Sequence, residues 1–194
     1  MANDDGSVMN GPKIKYIALL RGVNVGGKNK VSMPELKAAF ENAGFTEVST
    51  YINSGNVFFS CEEKEITALQ QQCRQVVLDT FSLEIPIAVL SVNALADALN
   101  HAPEWWDRDA DSKHNAIVVI APAKADTVIK VVGEAKPEYE KVAYHGQVIF
   151  WSAPIKTFSR TRWLKVVSTS AYGNITIRNA NTIKKLLQPG SDKG

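Results

Sequence analysis

Apolar residues along this chain fall into short unbroken runs and longer stretches with helical spacing. The runs Tyr16–Leu20, Ile85–Leu90 and Ile117–Ile120 are apolar at consecutive positions, which predicts strands covered on both faces. Lys13–Arg21 reads as the first strand. A helix over Pro34–Ala43 places Leu36, Ala39 and Phe40 on one face; Ser32-Met33-Pro34-Glu35 gives it a capping box and Gly44 a stop. Val48–Asn53 and Val57–Ser60 read as two strands turning at Ser54-Gly55-Asn56. Glu62–Phe81 spaces Ile66, Leu69, Cys73, Val76, Val77 and Thr80 as a helix, and Glu84–Leu90 is a strand again. Strand-helix-strand-strand-helix-strand is the order of a ferredoxin-like plait.

The pattern then starts afresh. Ser91 caps a connecting helix, Val92–Asn100, and an acidic, aromatic loop runs over His101–His114. Asn115–Ala121 reads as a strand and Lys124–Glu134 as a helix. Glu140–Tyr144 and Gln147–Trp151 form a hairpin across His145-Gly146. Thr161–Ser168 reads as a helix, Asn174–Ile177 as a strand, and a last helix, capped by Asn179, runs to Leu187. The stretch from Tyr51 to Ser60 matches that from Val142 to Trp151 in polarity around a central Gly. The expected fold class is α+β: tandem ferredoxin-like (alpha-beta plait) subdomains, βαββαβ repeated twice, with a connecting helix and a C-terminal helix. The expected divisions are a disordered 1–12, a first subdomain over 13–90, a connector over 91–114, a second subdomain over 115–188 and a disordered 189–194.

Composition narrows the function classes. The chain has 194 residues, 45% hydrophobic and 22% charged, with a formal net charge of +2. That balance excludes a broadly basic nucleic-acid coat, so any electrostatic attraction comes from local clusters. No run is long enough to span a bilayer and the first dozen residues hold no apolar leader segment, so a cytoplasmic protein is expected. Cys61 and Cys73 accordingly read as reduced thiols rather than a bridge or a metal pair.

The densest local cluster follows the first strand: Arg21-Gly22-Val23-Asn24-Val25-Gly26-Gly27-Lys28-Asn29-Lys30. Glycines let a backbone turn sharply and present its N–H groups, and three cations stand beside them; the combination suits a phosphate. Gly22-x-x-x-x-Gly27-Lys28 meets the first seven positions of a Walker A loop. The eighth is Asn29 in place of the magnesium-binding hydroxyl, and the helix starts several residues too late to aim its dipole at the phosphates. A nucleotide-hydrolysing P-loop is therefore not expected. The plain alternative is a solvated connection whose glycines only turn the chain.

Ala18–Asn29 and Thr50–Val57, with the closing words Asn174–Thr182 and Lys184-Lys185-Leu186, resemble the signature of the family called domain of unknown function 1697, known from uncharacterised bacterial proteins. The resemblance spans roughly residues 14 to 187. It departs where many members carry Trp at the position of Ala180 and Ser-Lys near Thr161-Arg162. It implies two alpha-beta plait subdomains and no established reaction.

Four polar clusters are candidates for a common ligand site. They are the loop (Arg21, Asn24, Gly26, Gly27, Lys28, Asn29, Lys30), the hairpin (Asn53, Ser54, Asn56), Arg160 and Arg162 at an expected helix start, and Arg178-Asn179 at another. Guanidiniums offer bidentate forks to phosphate, and amides donate and accept. Taken singly, the asparagines suit turns and helix caps as well as a ligand. Asp107-x-Asp109-x-Asp111 begins like a calcium loop but lacks its Gly and bidentate Glu. His101, His114 and His145 are isolated in sequence, so no metal site and no cofactor is assigned. No catalytic triad can be picked out. An open RNA-binding sheet would alternate in polarity, which these strands do not. The expected function is binding of a phosphate-bearing small molecule or nucleotide at the Gly-rich loop between the subdomains. An enzyme acting on such a ligand and a nucleic-acid binder using the same cations are the alternatives.

Overall fold

The computed structural model describes residues 11–188 and Gly190. Most of the terminal segments expected to be disordered fall outside the described residues. The first half comprises β1 (Lys13–Leu20), α1 (Met33–Asn42), β2 (Thr46–Tyr51), β3 (Asn56–Glu62), α2 (Ile66–Phe81) and β4 (Ile87–Ser91). Its sheet runs β2-β3-β1-β4, with every neighbouring pair antiparallel. After α3 (Val92–Asn100) come β5 (Ser112–Val119), α4 (Ala125–Val132), β6 (Lys141–His145), β7 (Val148–Pro154), β8 (Ile175–Asn179) and α5 (Ala180–Lys185). The second sheet runs β6-β7-β5-β8, the same order, so the duplication expected from the repeated pattern is a duplication of topology.

The unbroken apolar runs have a direct explanation. In β1, Tyr16, Ala18 and Leu20 enter one core with Leu36 and Phe40 of α1 and Leu69, Cys73 and Val77 of α2. Ile17 and Leu19 point the other way, into a second core. That second core takes residues from both halves: Phe58, Ala88 and Leu90 from the first sheet, and Ala116, Val118 and Phe150 from the second. Leu95 and Ala98 of α3, Trp106, and Ala180 and Ile183 of α5 complete it. Ile117, Val119 and Ile149 face a third core under α4. Both faces of both sheets are thus covered.

Helix α1 is capped as its sequence predicts: Oγ of Ser32 accepts from the Glu35 amide. Ser91 caps α3 and Asn179 caps α5 in the same way. Two expectations need correction. Asn56 does not sit in the hairpin turn but opens β3, the turn being residues 52–55. The helix expected over Thr161–Ser168 is instead part of three successive 3-10 segments, Ile155–Arg160, Trp163–Ser168 and Ser170–Asn174. The hydroxyls of Thr161 and Thr169 each donate at 2.7 Å to the carbonyl three residues back, and each threonine takes an extended backbone that ends its turn. The segment is held down by Glu140, whose buried carboxylate accepts from the amides of Arg162 and Trp163.

Candidate functional site

The two halves meet at a cleft of about 480 Å³. The first half lines it with Arg21, Gly22 and Val25 of the glycine-rich loop and with Ile52 and Ser54 of the hairpin turn. From the second half come Val167 and Tyr172 of the 3-10 region and Thr176, Arg178 and Asn179 of β8.

The loop is built by its own side chains. Asn24 and Asn29 have φ of 56° and 50°, in the left-handed region that asparagine tolerates well. The Asn24 amide accepts from the Val31 amide and donates to the carbonyls of Val31 and Asn53, and Asn29 donates to the Gly22 carbonyl. Val25 and Lys28 pair across Gly26-Gly27, making the tip a miniature hairpin. Asn24, Asn29 and the Asn53 carbonyl are therefore engaged in shaping the loop. Gly27, Lys30 and Asn53 line a separate, shallower depression beside the start of α1, and Lys28 is exposed outside the cleft.

Arg21 spans the halves. Its Nη1 donates to the carbonyls of Tyr172 and Ile175, and its guanidinium lies 3.9 Å from the centre of the Tyr172 ring. Its Nε and Nη2 make no hydrogen bond to the described residues. Arg178 is 8% exposed. Nε donates to Oδ1 of Asn56, Nη1 to Thr176 Oγ1 and the Ile177 carbonyl, and Nη2 to the Leu20, Ser54 and Gly55 carbonyls. All these acceptors are neutral, and among the described residues no carboxylate pairs with either arginine. Burial lowers the Arg178 guanidinium from its ordinary value to about 10. Among the described residues no acidic one lines the cleft.

Arg160 and Arg162 stand elsewhere. Arg160 lies over the Tyr139 ring, while Arg162 packs its guanidinium against Gly133. Of the four polar clusters, the structure brings together Arg21, Ser54, Arg178 and Asn179, with Asn56 behind them as the acceptor for Arg178. The sequence reading missed Tyr172, Val25, Ile52 and Val167. Three of them are exposed hydrophobics: Val25 at 63%, Ile52 at 47% and Val167 at 52%. Ile52 also has φ of 50°, a conformation that costs a β-branched residue about 1–2 kcal/mol. A strained backbone at a cleft wall is a feature that only coordinates reveal.

One further polar group looks catalytic at first sight. Ser152 Oγ lies 2.6 Å from His114 Nδ1, and His114 Nε2 lies 2.8 Å from the Asp109 carbonyl. Nδ1 also accepts the Asp107 amide at 3.0 Å, so the ring ties the 101–111 loop to β7 from both edges. Trp106 anchors the same loop, donating Nε1 to the Asn115 carbonyl and meeting Phe150 edge-on.

A tandem ferredoxin-like protein with a cationic cleft between its halves is the class these observations define. The family described as "Protein of unknown function (DUF1697)" matches residues 14–150, and the chain belongs to that family. A solved structure described as that of conserved bacterial protein SP0830 from Streptococcus pneumoniae is 31% identical, with a TM-score of 0.80. The match covers 91% of this chain and 98% of that one. No functionally curated protein matches. Among the described residues no helix is long and apolar enough to cross a membrane.

Proposed function

We propose that this protein binds a small phosphate-bearing molecule, such as a mononucleotide or sugar phosphate, in the cleft between its halves. The observation that carries this reading is the pair Arg21 and Arg178 on one cleft that no acidic side chain among the described residues lines. A buried guanidinium held only by neutral dipoles keeps its net charge, and in a partly desolvated wall that charge attracts an anion strongly. Arg178, its donors already engaged, supplies field. Arg21 supplies free N–H groups for a fork on the anion. Val25, Ile52, Val167 and Tyr172 offer apolar contact to the remainder of the ligand, and about 480 Å³ is within the range of small-molecule sites. Because both faces of each sheet are covered, neither sheet is an open platform for nucleic acid.

Thermal-shift and calorimetric titrations with inorganic phosphate, AMP and ribose 5-phosphate test the reading, with matched sodium chloride as control. Saturable binding is expected, weakened about ten- to a hundredfold in Arg21→Met, the loss of one charge-assisted contact of roughly 1.5–3 kcal/mol. A log–log salt slope of about −2 to −3 with a short oligonucleotide, tighter than any mononucleotide, would shift the assignment to nucleic acid. Absence of saturable binding by all the probes, or equal binding by Arg21→Met, overturns it.

A further inference from the structure

His101 and His145 read as isolated in sequence, but the fold brings them together, which corrects that reading. Asp97 and His101 lie one turn apart at the end of α3, and His145 closes β6 beside Gly146. The two imidazoles stack in parallel, ring centres 4.0 Å apart and planes within 1°. The Asp97 carboxylate lies beside both: Oδ2 is 2.8 Å from His145 Nε2, and Oδ1 is 3.5 Å from His101 Nδ1, whose hydrogen bond, at 2.8 Å, goes to the Asp97 main-chain carbonyl. One ligand atom from each of the three residues lies within 4.8 Å of the others.

We infer that Asp97, His101 and His145 form a binding site for a divalent transition ion of the zinc class. Two imidazoles and a carboxylate are the donor set that suits zinc, cobalt, nickel or copper rather than magnesium or calcium, which take oxygen ligands. Ligands around a tetrahedral ion at 2.0–2.1 Å stand about 3.3 Å from one another, and the contacts of 2.8 and 3.5 Å, one to each Asp97 oxygen, lie close to that spacing. The remaining pair, no more than 4.8 Å apart, needs a side-chain rotation, for which the exposed Asp97 and His101 and the half-exposed His145 leave room. An ion of this class binds each imidazole in its neutral form. Three protein ligands leave an open position for water. The ligands come from the connecting helix and from the tip of the second-half hairpin, so the ion would brace α3 against β6–β7. The site shares no residue with the cleft, and neither proposal depends on the other.

The test uses the full chain, free of affinity tags, with thiols kept reduced by a phosphine. Zn²⁺ is titrated against a chromophoric chelator, and Co²⁺ is followed by visible absorption. One ion per chain is expected, with intense Co²⁺ bands of a four-coordinate site and a rise in melting temperature on adding Zn²⁺. His145→Ala and Asp97→Asn each should weaken Zn²⁺ at least tenfold and abolish the thermal shift; Cys61→Ser should leave both unchanged. His101→Gln, on a different element from His145, repeats the test should His145→Ala misfold by circular dichroism. No binding at millimolar Zn²⁺ overturns the inference. So does binding that survives His145→Ala and Asp97→Asn, or binding that Cys61→Ser removes.

Discussion

Nε of Arg178 donates a 2.8 Å hydrogen bond to Oδ1 of Asn56, joining the edge strand β8 of one half to the inner strand β3 of the other across 122 positions of sequence. The Asn56 Nδ2 group donates to the Tyr51 carbonyl and to Ser54 Oγ, so the amide can present only its oxygen to the guanidinium. Both side chains are buried. Asn56→Ala therefore leaves a buried cation short of an acceptor and should cost about 3–5 kcal/mol in urea unfolding. On an Arg178→Met background the same change should cost much less. A double-mutant cycle additive within about 0.5 kcal/mol would show that the two residues do not act as a unit.

Gly55 has φ of 84°, and a Cβ there would sit 2.8 Å from Val23 Cγ2 and 2.9 Å from Leu20 Cβ. Gly26 has φ of 57° with nothing within 4 Å. Alanine at position 26 should cost only the conformational penalty, about 1–2 kcal/mol. At position 55 the clash adds to it, for about 2–5 kcal/mol in total, measured by chemical denaturation. Equal losses at the two sites would mean that the hairpin turn can move away from the loop.

Each oxygen of Glu140 accepts two N–H groups: Oε1 from Lys136 and Arg162, Oε2 from the Trp151 indole and Trp163. In Glu140→Gln either orientation of the amide turns an NH₂ group against two donors. The substitution is nearly isosteric, yet it should destabilise the protein by about 2–4 kcal/mol. It should also speed proteolysis within residues 155–174, which limited digestion and mass spectrometry would locate. A change below 0.5 kcal/mol, a surface-like value, would show that the 3-10 region does not depend on this carboxylate.

Burial pushes the thiols of Cys61 and Cys73 above their ordinary value. The folded chain keeps these protons over a range where the unfolded chain has lost them. Their contribution to stability is whole below pH 9, the ordinary thiol value, and falls as pH rises above it. The slope is at most about 1.4 kcal/mol per pH unit for each thiol. Stability measured from pH 8 to 10.5 should decline less steeply in Cys73→Val. Native-state alkylation followed by mass should modify Cys61 before Cys73, which is fully buried.

How far the sequence reached can be seen element by element. The run Tyr16–Leu20 has no polar face, and that alone required cover on both sides of its sheet; which surface supplied the second cover was not local information. The caps at Ser32, Ser91 and Asn179 were legible because a cap joins residues three apart. The 3-10 region was misread as a helix because its anchor, Glu140, is 22 positions from Arg162. Among site residues, the glycine-rich loop declared itself through composition, and Arg178 stood out as a cation. Sequence could not separate Arg178, which faces the cleft, from Arg160 and Arg162, which do not, since all three precede a turn or cap. Nor could it bring His145 to Asp97.

Local pattern and periodicity by themselves determined two βαββαβ-like units and a cationic loop after the first strand, because strand pleat, helical repeat and cap chemistry all act over a few residues. Tertiary structure alone decided that the halves share a core, that Arg21 and Arg178 meet at one cleft, and that two distant histidines stack on each other beside one aspartate. Those relations depend on the packing of one half against the other, and such packing is fixed by shape and burial summed over the whole chain rather than by any short stretch of it.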